Sequence, residues 1–499
     1  MVSRVPLKLL SILVVCALTA IACGGADRSD SESGAEATTA PTAAADTEDA
    51  AAEGEAADSA ADAGDTGSAE SEPDEAEGES TAEAGDMFGD MAWPCGPGDA
   101  SGATDQGVTD DTILIGGGDD RGFAASLGLN KAQTDAIQAL VEKCNELGGI
   151  NGRQLEVEPY DAQLFEVASV MLDACDRMFM LVGEGFAVDG FGEETRVQCD
   201  LAHVPAWTVS AAAAHGPSMV QPVPNPADRL PIAMAVYLAE TFPDAIGESA
   251  TMFGNFAATI ETKDKVLAAY PPLGFEFKEN LEYNVNGEDD WTPFVLALKD
   301  AGIKHVYFTG SCLPNYQAFR AAAAVNNYEA VYSHDANFYD ATCIGVNDDG
   351  VMDNSYVRVV YVPLEERDVV KAVDDYATLL EAWGGEVSAL GMQTTSAFML
   401  WATAASACGS DLTRECVLQG VADLGTWTGG GLHAPTEPAT NESPDCGIVL
   451  RMAGTSYERI WPEEPGEFAC DESWVAEINT VWVEEAQLDE NRVSQQFTG

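Results

Sequence analysis

The stretch from residue 132 to 160, AQTDAIQALVEKCNELGGINGRQLEVEPY, constrains the fold of this 499-residue chain more than any other. Ala136, Leu140, Val141, Cys144 and Leu147 recur at the spacing of one helix face, which predicts an amphipathic helix over about residues 131–147. Gly148 and Gly149 can take the left-handed backbone that ends a helix. Asn151-Gly152 is a second turn signal, and residues 154–157 alternate like a strand. Upstream, residues 112–115 are a short apolar run leading into Gly116, Gly117 and Gly118, as in a buried parallel strand. Strand, glycine-rich loop, helix, double-glycine turn and strand make a βαβ unit, so the fold must contain a parallel sheet.

Strand and helix keep alternating. Residues 178–183 and 204–208 read as strands, with helices before and between them. Near Arg229 the pattern restarts. Helices are predicted over 232–241, 259–269, 291–301 and 314–325, and strands over 250–253, 275–283, 305–309 and 330–333. A strand at 356–361 and helices at 369–383 and 389–407 are expected to return to the first set, and the tail from Cys446 to cross back. About 400 residues exceed what one core usually serves, so two lobes are expected. Lobe 1 is assigned residues 93–229 and 350–445, and lobe 2 residues 230–349 and 446–499.

The amino terminus precedes this body. Arg4 and Lys8 stand before an apolar run over 9–22, which marks a secretory signal peptide, residues 1–22. Thr19-Ala20-Ile21-Ala22-Cys23-Gly24 resembles the lipobox of bacterial lipoproteins, with Ala20 where that pattern prefers Leu. The resemblance implies that Cys23 is the first mature residue and carries a lipid; the alternative is a plain signal peptide. From there to about residue 92 the chain is mostly Ala, Glu, Asp, Ser, Thr and Gly. Such a segment buries too little apolar surface to offset its entropy, and is expected to be a disordered acidic tether. A coil of about 65 residues spans roughly 45 Å. The formal net charge of −61 weighs against nucleic acid or an anionic membrane surface as partners.

Of twelve cysteines, Cys16 lies in the signal core and Cys23 at the lipobox, leaving ten. No CxxC, HExxH or clustered Cys/His spacing suggests a metal, and an even number in an exported chain reads as disulfides. Sequence alone cannot fix their connectivity. Near-neighbour pairing would join Cys95 with Cys144, Cys175 with Cys199, Cys312 with Cys343, Cys408 with Cys416, and Cys446 with Cys470.

Catalytic and nucleotide motifs are not evident. Residues 116–122 carry Arg121 in place of the third glycine of GxGxxG, and put Asp119 and Asp120 where a pyrophosphate would sit. Asp289-Asp290 and Asp348-Asp349 read as solvated loop residues, and His305 as a packing or capping residue. His334, beside Asp335 at the end of an apolar strand, is a stronger candidate for function. Neither an enzymatic activity nor a cofactor is expected.

GVTDDTILIGG at 107–117, NELGGINGRQLEVEPYDA at 145–162 and DDWTPFVLALKDAGIKHVYFTG at 289–310 resemble the branched-chain amino-acid type of periplasmic substrate-binding protein. The resemblance implies the type I periplasmic binding fold: two Rossmann-like, doubly wound α/β lobes joined by a three-stranded hinge. It also implies capture of a small polar solute (an amino acid, amide, urea or relative) and delivery to an ABC permease, with a ligand-sensing receptor as the alternative. By position it assigns ligand contacts to Ser126, Phe186, Ala187, Ser210, Ala211 and Ala212 in lobe 1, and to Phe256, Ser311 and Asp335 in lobe 2. Asp335 would receive an ammonium group. Amino-acid binders of the family place hydroxyl residues where Ala187 and Ala212 stand, so an ordinary amino acid would lose two donors to its carboxylate here.

Overall fold

The amphipathic pattern becomes α1 (Lys131–Leu147), which buries Ala136, Ile137, Leu140, Val141 and Cys144. It stops at Gly148, φ 115°, and Gly149 follows at φ 78°; a Cβ on Gly149 would lie 2.0 Å from the Arg153 carbonyl, so only glycine fits this turn. The computed structural model describes residues 87–498 apart from positions 125 and 311. The expected signal peptide, Cys23 and nearly all of the tether therefore lie outside the described residues.

A hairpin of β1 (Met87–Phe88) and β2 (Met91–Ala92) precedes a parallel sheet of β3 (Thr112–Asp119), β4 (Gln154–Asp161), β5 (Leu181–Val182) and β6 (His203–Val204), in the order β4-β3-β5-β6. After β7 (Arg229–Pro231) the same order recurs. β8 (Ser249–Gly254), β9 (Phe277–Tyr283), β10 (His305–Thr309) and β11 (Val331–His334) are again parallel and run β9-β8-β10-β11. That sheet continues through β12 (Ser355–Val359), β13 (Cys446–Ala453) and β14 (Ser456–Trp461), with β15 (Ala469–Cys470) beside β13. Finally β16 (Val475–Glu477) pairs with β7. Two sheets with the same opening order are what two doubly wound lobes require.

In the first lobe, α1 and the helix Ala389–Cys408 share one core with β3 and β5. α2 (Val167–Arg177) packs against α3 (Gly190–Gln198) and buries Val167, Val170, Met171 and Ala174 in a second apolar cluster with Leu181 and Phe186. The short α4 (Ala211–Ala214) follows β6, while α5 (Ala233–Thr241), α6 (Pro243–Ile246) and α7 (Ala257–Ala269) belong to the second lobe's layers.

Three placements differ from expectation. Gly116, Gly117 and Gly118, read as part of a loop, lie inside β3; a Cβ at Gly117 would meet Ile137 at 2.9 Å and one at Gly118 would meet Phe186 at 2.7 Å. Their role is close helix and strand packing. The strand assigned to lobe 1 at 356–361 is mostly β12, which lies between β11 and β13 in the second sheet. The chain returns to the first core only at Val360, Tyr361 and Val362, because an apolar run does not say which sheet it joins. The tail assigned wholly to lobe 2 instead reaches back to α4: Ala486 packs against Ala211 and Ala227, and Ser494 donates its N–H to the His215 carbonyl at 2.7 Å.

The disulfides are Cys95–Cys144, Cys175–Cys199, Cys312–Cys343, Cys408–Cys416 and Cys446–Cys470, the near-neighbour set. Each closes a loop of 8 to 49 residues, worth roughly 2 to 4 kcal/mol apiece.

Candidate functional site

Open α/β sheets present their ligand loops at the carboxyl ends of the strands. In the first lobe that edge is built on Asp119 and Asp120, the last residue of β3 and its successor, both fully buried. Asp119 is paired with Arg121 at 2.9 Å, and Arg121 also donates to the carbonyls of Pro159 and Tyr160 at the end of β4. The arginine that breaks the nucleotide pattern thus closes the edge of the sheet.

Asp120 ties three segments together. Its Oδ2 accepts from the Ala187 N–H at 2.8 Å and from Asn130 Nδ2 at 3.4 Å, and its Oδ1 accepts from the Leu164 N–H at 3.1 Å. Burial pushes its carboxyl above the ordinary range, against the pull of those donors. Asp189 does the same for the next loop. Its carboxylate accepts from the N–H groups of Val209 at 2.7 Å and Ser210 at 2.9 Å, and desolvation raises its pKa to about 6. The N–H groups of Ala187 and Ser210, in the two loops assigned to the ligand, are therefore already held by the protein's own carboxylates.

The remaining first-lobe expectations fall unevenly. Phe186 is buried in the α2–α3 cluster, and Ala211 and Ala212 are buried as well. The Ser210 hydroxyl caps α4 by accepting from the Ala213 N–H. Ala187 is half-buried and Ser126 is exposed, in the loop between Arg121 and Asn130.

Beneath these loops lies a small cavity lined in part by Glu184, Phe186, Asp189, Glu193, His203 and Trp207, with room for about one water-sized group. Glu184 Oε1 meets His203 Nδ1 at 2.8 Å, while Glu184 Oε2 and His203 Nε2 are buried with no hydrogen-bond partner among the described residues. Glu193 is held by Arg196, at 2.9 and 2.5 Å. Desolvation pushes Glu184 up to about 8 and drives His203 well below its usual value. Trp207 stands over Gly185. Gln133, with its amide oxygen facing both donors, accepts from the Gly185 N–H at 3.1 Å and from the indole N–H at 3.2 Å.

From the second lobe, the half-buried Phe256 precedes α7, which carries Glu261 and Lys265, both buried. Lys265 lies 3.6 Å from Glu261 and 3.5 Å from the Pro226 carbonyl. Its charge acts on Asp335 and on His215, while Asp189 acts on Glu261, so charged groups of both lobes converge here. Asp335 accepts from the Tyr307 hydroxyl; burial raises its pKa, opposed by Tyr307, Arg358 and Lys265. Ser311 lies outside the described residues.

His334 proves structural: it is fully buried, stacks on Phe338 with ring centroids 4.0 Å apart, and its Nδ1 sits 3.0 Å from the Phe308 carbonyl. His305 bridges the hydroxyls of Ser249 and Ser333, a packing role as expected. Asp290 and Asp349 are exposed loop residues that accept nearby N–H groups. A larger cavity, about 660 Å³, lies away from these loops, between Asp200 before β6 and the start of the helix Arg414–Leu424. There Arg414 is occupied with the Met178, Phe179 and Asp200 carbonyls.

Residues 117–451 match the periplasmic binding protein family, and the chain belongs to it. It adopts that family's type I fold, which also describes its branched-chain amino-acid transport members. Among solved structures, it resembles a leucine-, isoleucine-, valine-, threonine- and alanine-binding protein from Brucella ovis in a closed conformation, at 16% identity and TM-score 0.59, covering 72% of this chain and 95% of that one. A fatty acid ABC transporter substrate-binding protein from Thermomonospora curvata is similar at 16% identity and TM-score 0.58, covering 73% and 93%. So is a Rhodopseudomonas palustris solute-binding protein in complex with 3,4-dihydroxy benzoic acid, at 14% and 0.56, covering 70% and 97%. No curated protein matches the sequence significantly.

Proposed function

We propose that this chain is an extracytoplasmic solute-binding lipoprotein that captures a small polar solute between its lobes and delivers it to an ABC importer. The observation that carries this reading is the family's two-lobed fold, together with Lys265 of α7, which sits 3.5 Å from the Pro226 carbonyl of the first lobe and 3.6 Å from Glu261. Family membership supports solute binding and a position outside the cytoplasm. The lipid anchor rests on the lipobox-like sequence ending at Cys23.

In this reading the loops at Ala187 and Ser210 to Ala212 face Phe256 and Asp335 across the cleft, and Ser126 lies on the rim. Binding to one lobe followed by contacts from the other raises the closed population only by the solute's differential affinity for it. Thermal-shift screening of amino acids, amides, ureas and amines, followed by small-angle scattering with any hit, tests the proposal. The expected outcome is a saturable rise in Tm together with a smaller radius of gyration. Turnover of the hit, or no stabilisation by any class, overturns it.

A further inference from the structure

Resting on the solute-binding reading, we infer that the first lobe selects a cation: the cavity between the Glu184 and Trp207 loops seats the ammonium end of an amine solute that carries no free carboxylate.

The acids of this edge are the first reason. Among the described residues, no Lys or Arg lies within ion-pair distance of Asp120, Asp189 or Glu184, whereas Asp119 has Arg121 and Glu193 has Arg196. Buried carboxylates without a cation are costly, and a bound cation relieves that cost. Asp120 and Asp189 also occupy the peptide donors at Ala187 and Ser210, so an incoming carboxylate would find carboxylates in its place. Asp335, the second lobe's acid, has no ion pair among the described residues either, but it accepts from the Tyr307 hydroxyl and feels the pull of Arg358 and Lys265, although burial still raises its pKa.

The cavity supplies the second reason. Glu184 and His203 are 2% and 4% exposed, and each turns one polar atom, Oε2 and Nε2, to no protein partner. With Nδ1–H donated to an ionised Glu184, both of those atoms are acceptors, a match for the N–H groups of one primary ammonium. The space fits a group of about that size. Of the residues lining it, only Asp189 and Trp207 are partly exposed, so the way in passes a carboxylate and an indole. Both attract an organic cation.

Burial favours the protonated form of Glu184 when no cation is bound, which gives a signature. Glu184 faces His203 on β6 and Asp189, Glu193 and Arg196 from α3, while Met171 of α2 and Ala213 of α4 bring no charge. With its pKa near 8, it is mostly neutral at pH 7 and must release its proton to solvent when an ammonium arrives.

The test is calorimetry and thermal shift at pH 7 on the mature chain with n-butylamine, butyramide, butyrate and leucine, in two buffers of different ionisation enthalpy. Butylamine is expected to bind with proton release approaching one per site, butyrate not at all, and Glu184→Gln to weaken butylamine more than tenfold. Binding of butylamine without proton release, or an unchanged affinity in Glu184→Gln, overturns the assignment; the proton count on the wild type decides even where the variant fails to fold. Binding of butyramide or leucine but not butylamine overturns the cation preference and leaves solute capture standing. No binding by any of the four also overturns it, and the wider screen above then judges solute capture separately.

Discussion

Glu184 shows how one side chain can couple stability to occupancy. Burial raises its pKa from the ordinary carboxylate value to about 8, so the folded state binds its proton more tightly than the unfolded chain does. Its contribution is fully present below about pH 4.5 and is lost as pH rises through about 8. Replacing it with Gln removes that dependence. Chemical denaturation of the unliganded protein at several pH values should show the wild type losing stability relative to Glu184→Gln between pH 5 and 8. Parallel curves would mean that the carboxyl is solvated. This residue does not stand out in the sequence. Asp120 is legible as an oddity in a glycine-rich run, but its partner Ala187 is 67 positions away, and nothing local announces that its carboxylate holds that N–H.

At the level of elements, periodicity carried most of the fold. The 3.6-residue pattern located α1 to its last residue, and the alternation of strands and helices revealed that the pattern restarts after Arg229. Cysteine spacing led to the right pairs because each loop is short enough for its ends to meet within one layer. What sequence could not supply was allegiance. β12 is as apolar as a lobe 1 strand would be, and only its neighbours place it in the second sheet. The tail has the same ambiguity. Its helix Val481–Ala486 packs on α4, Trp482 donates to Asp264 of α7 at 3.0 Å, and Arg492 grips Asp228 at 2.6 and 2.9 Å. This strap covers α4 from outside, so ending the chain after Ile478 should speed amide exchange at residues 211–214 and leave β3 and β4 protected. Hydrogen-exchange mass spectrometry checks it; equal exchange at α4 would show the strap to be incidental.

For the molecule as a whole, charge is the dominant quantity. The chain carries 84 acidic against 23 basic side chains, far too few cations to pair the acids, and self-repulsion of that size opposes the compact state. Screening shortens the reach of those interactions to about 3 Å at 1 M salt. The unfolding temperature of the unliganded protein should therefore rise steadily with sodium chloride between about 0.05 and 1 M, which scanning calorimetry measures directly. The same screening should weaken amine binding, so stability and affinity ought to move in opposite directions with salt.

The disulfides bear on this in a mechanical sense. Cys95–Cys144, Cys175–Cys199 and Cys408–Cys416 staple the first lobe, and Cys312–Cys343 and Cys446–Cys470 the second, while none joins one lobe to the other. The molecule is two cross-linked blocks on a joint without cross-links. Oxidation can stiffen each block, but no disulfide among the described residues sets the angle between them; that is left to the crossing strands and to the tail that touches both α4 and α7.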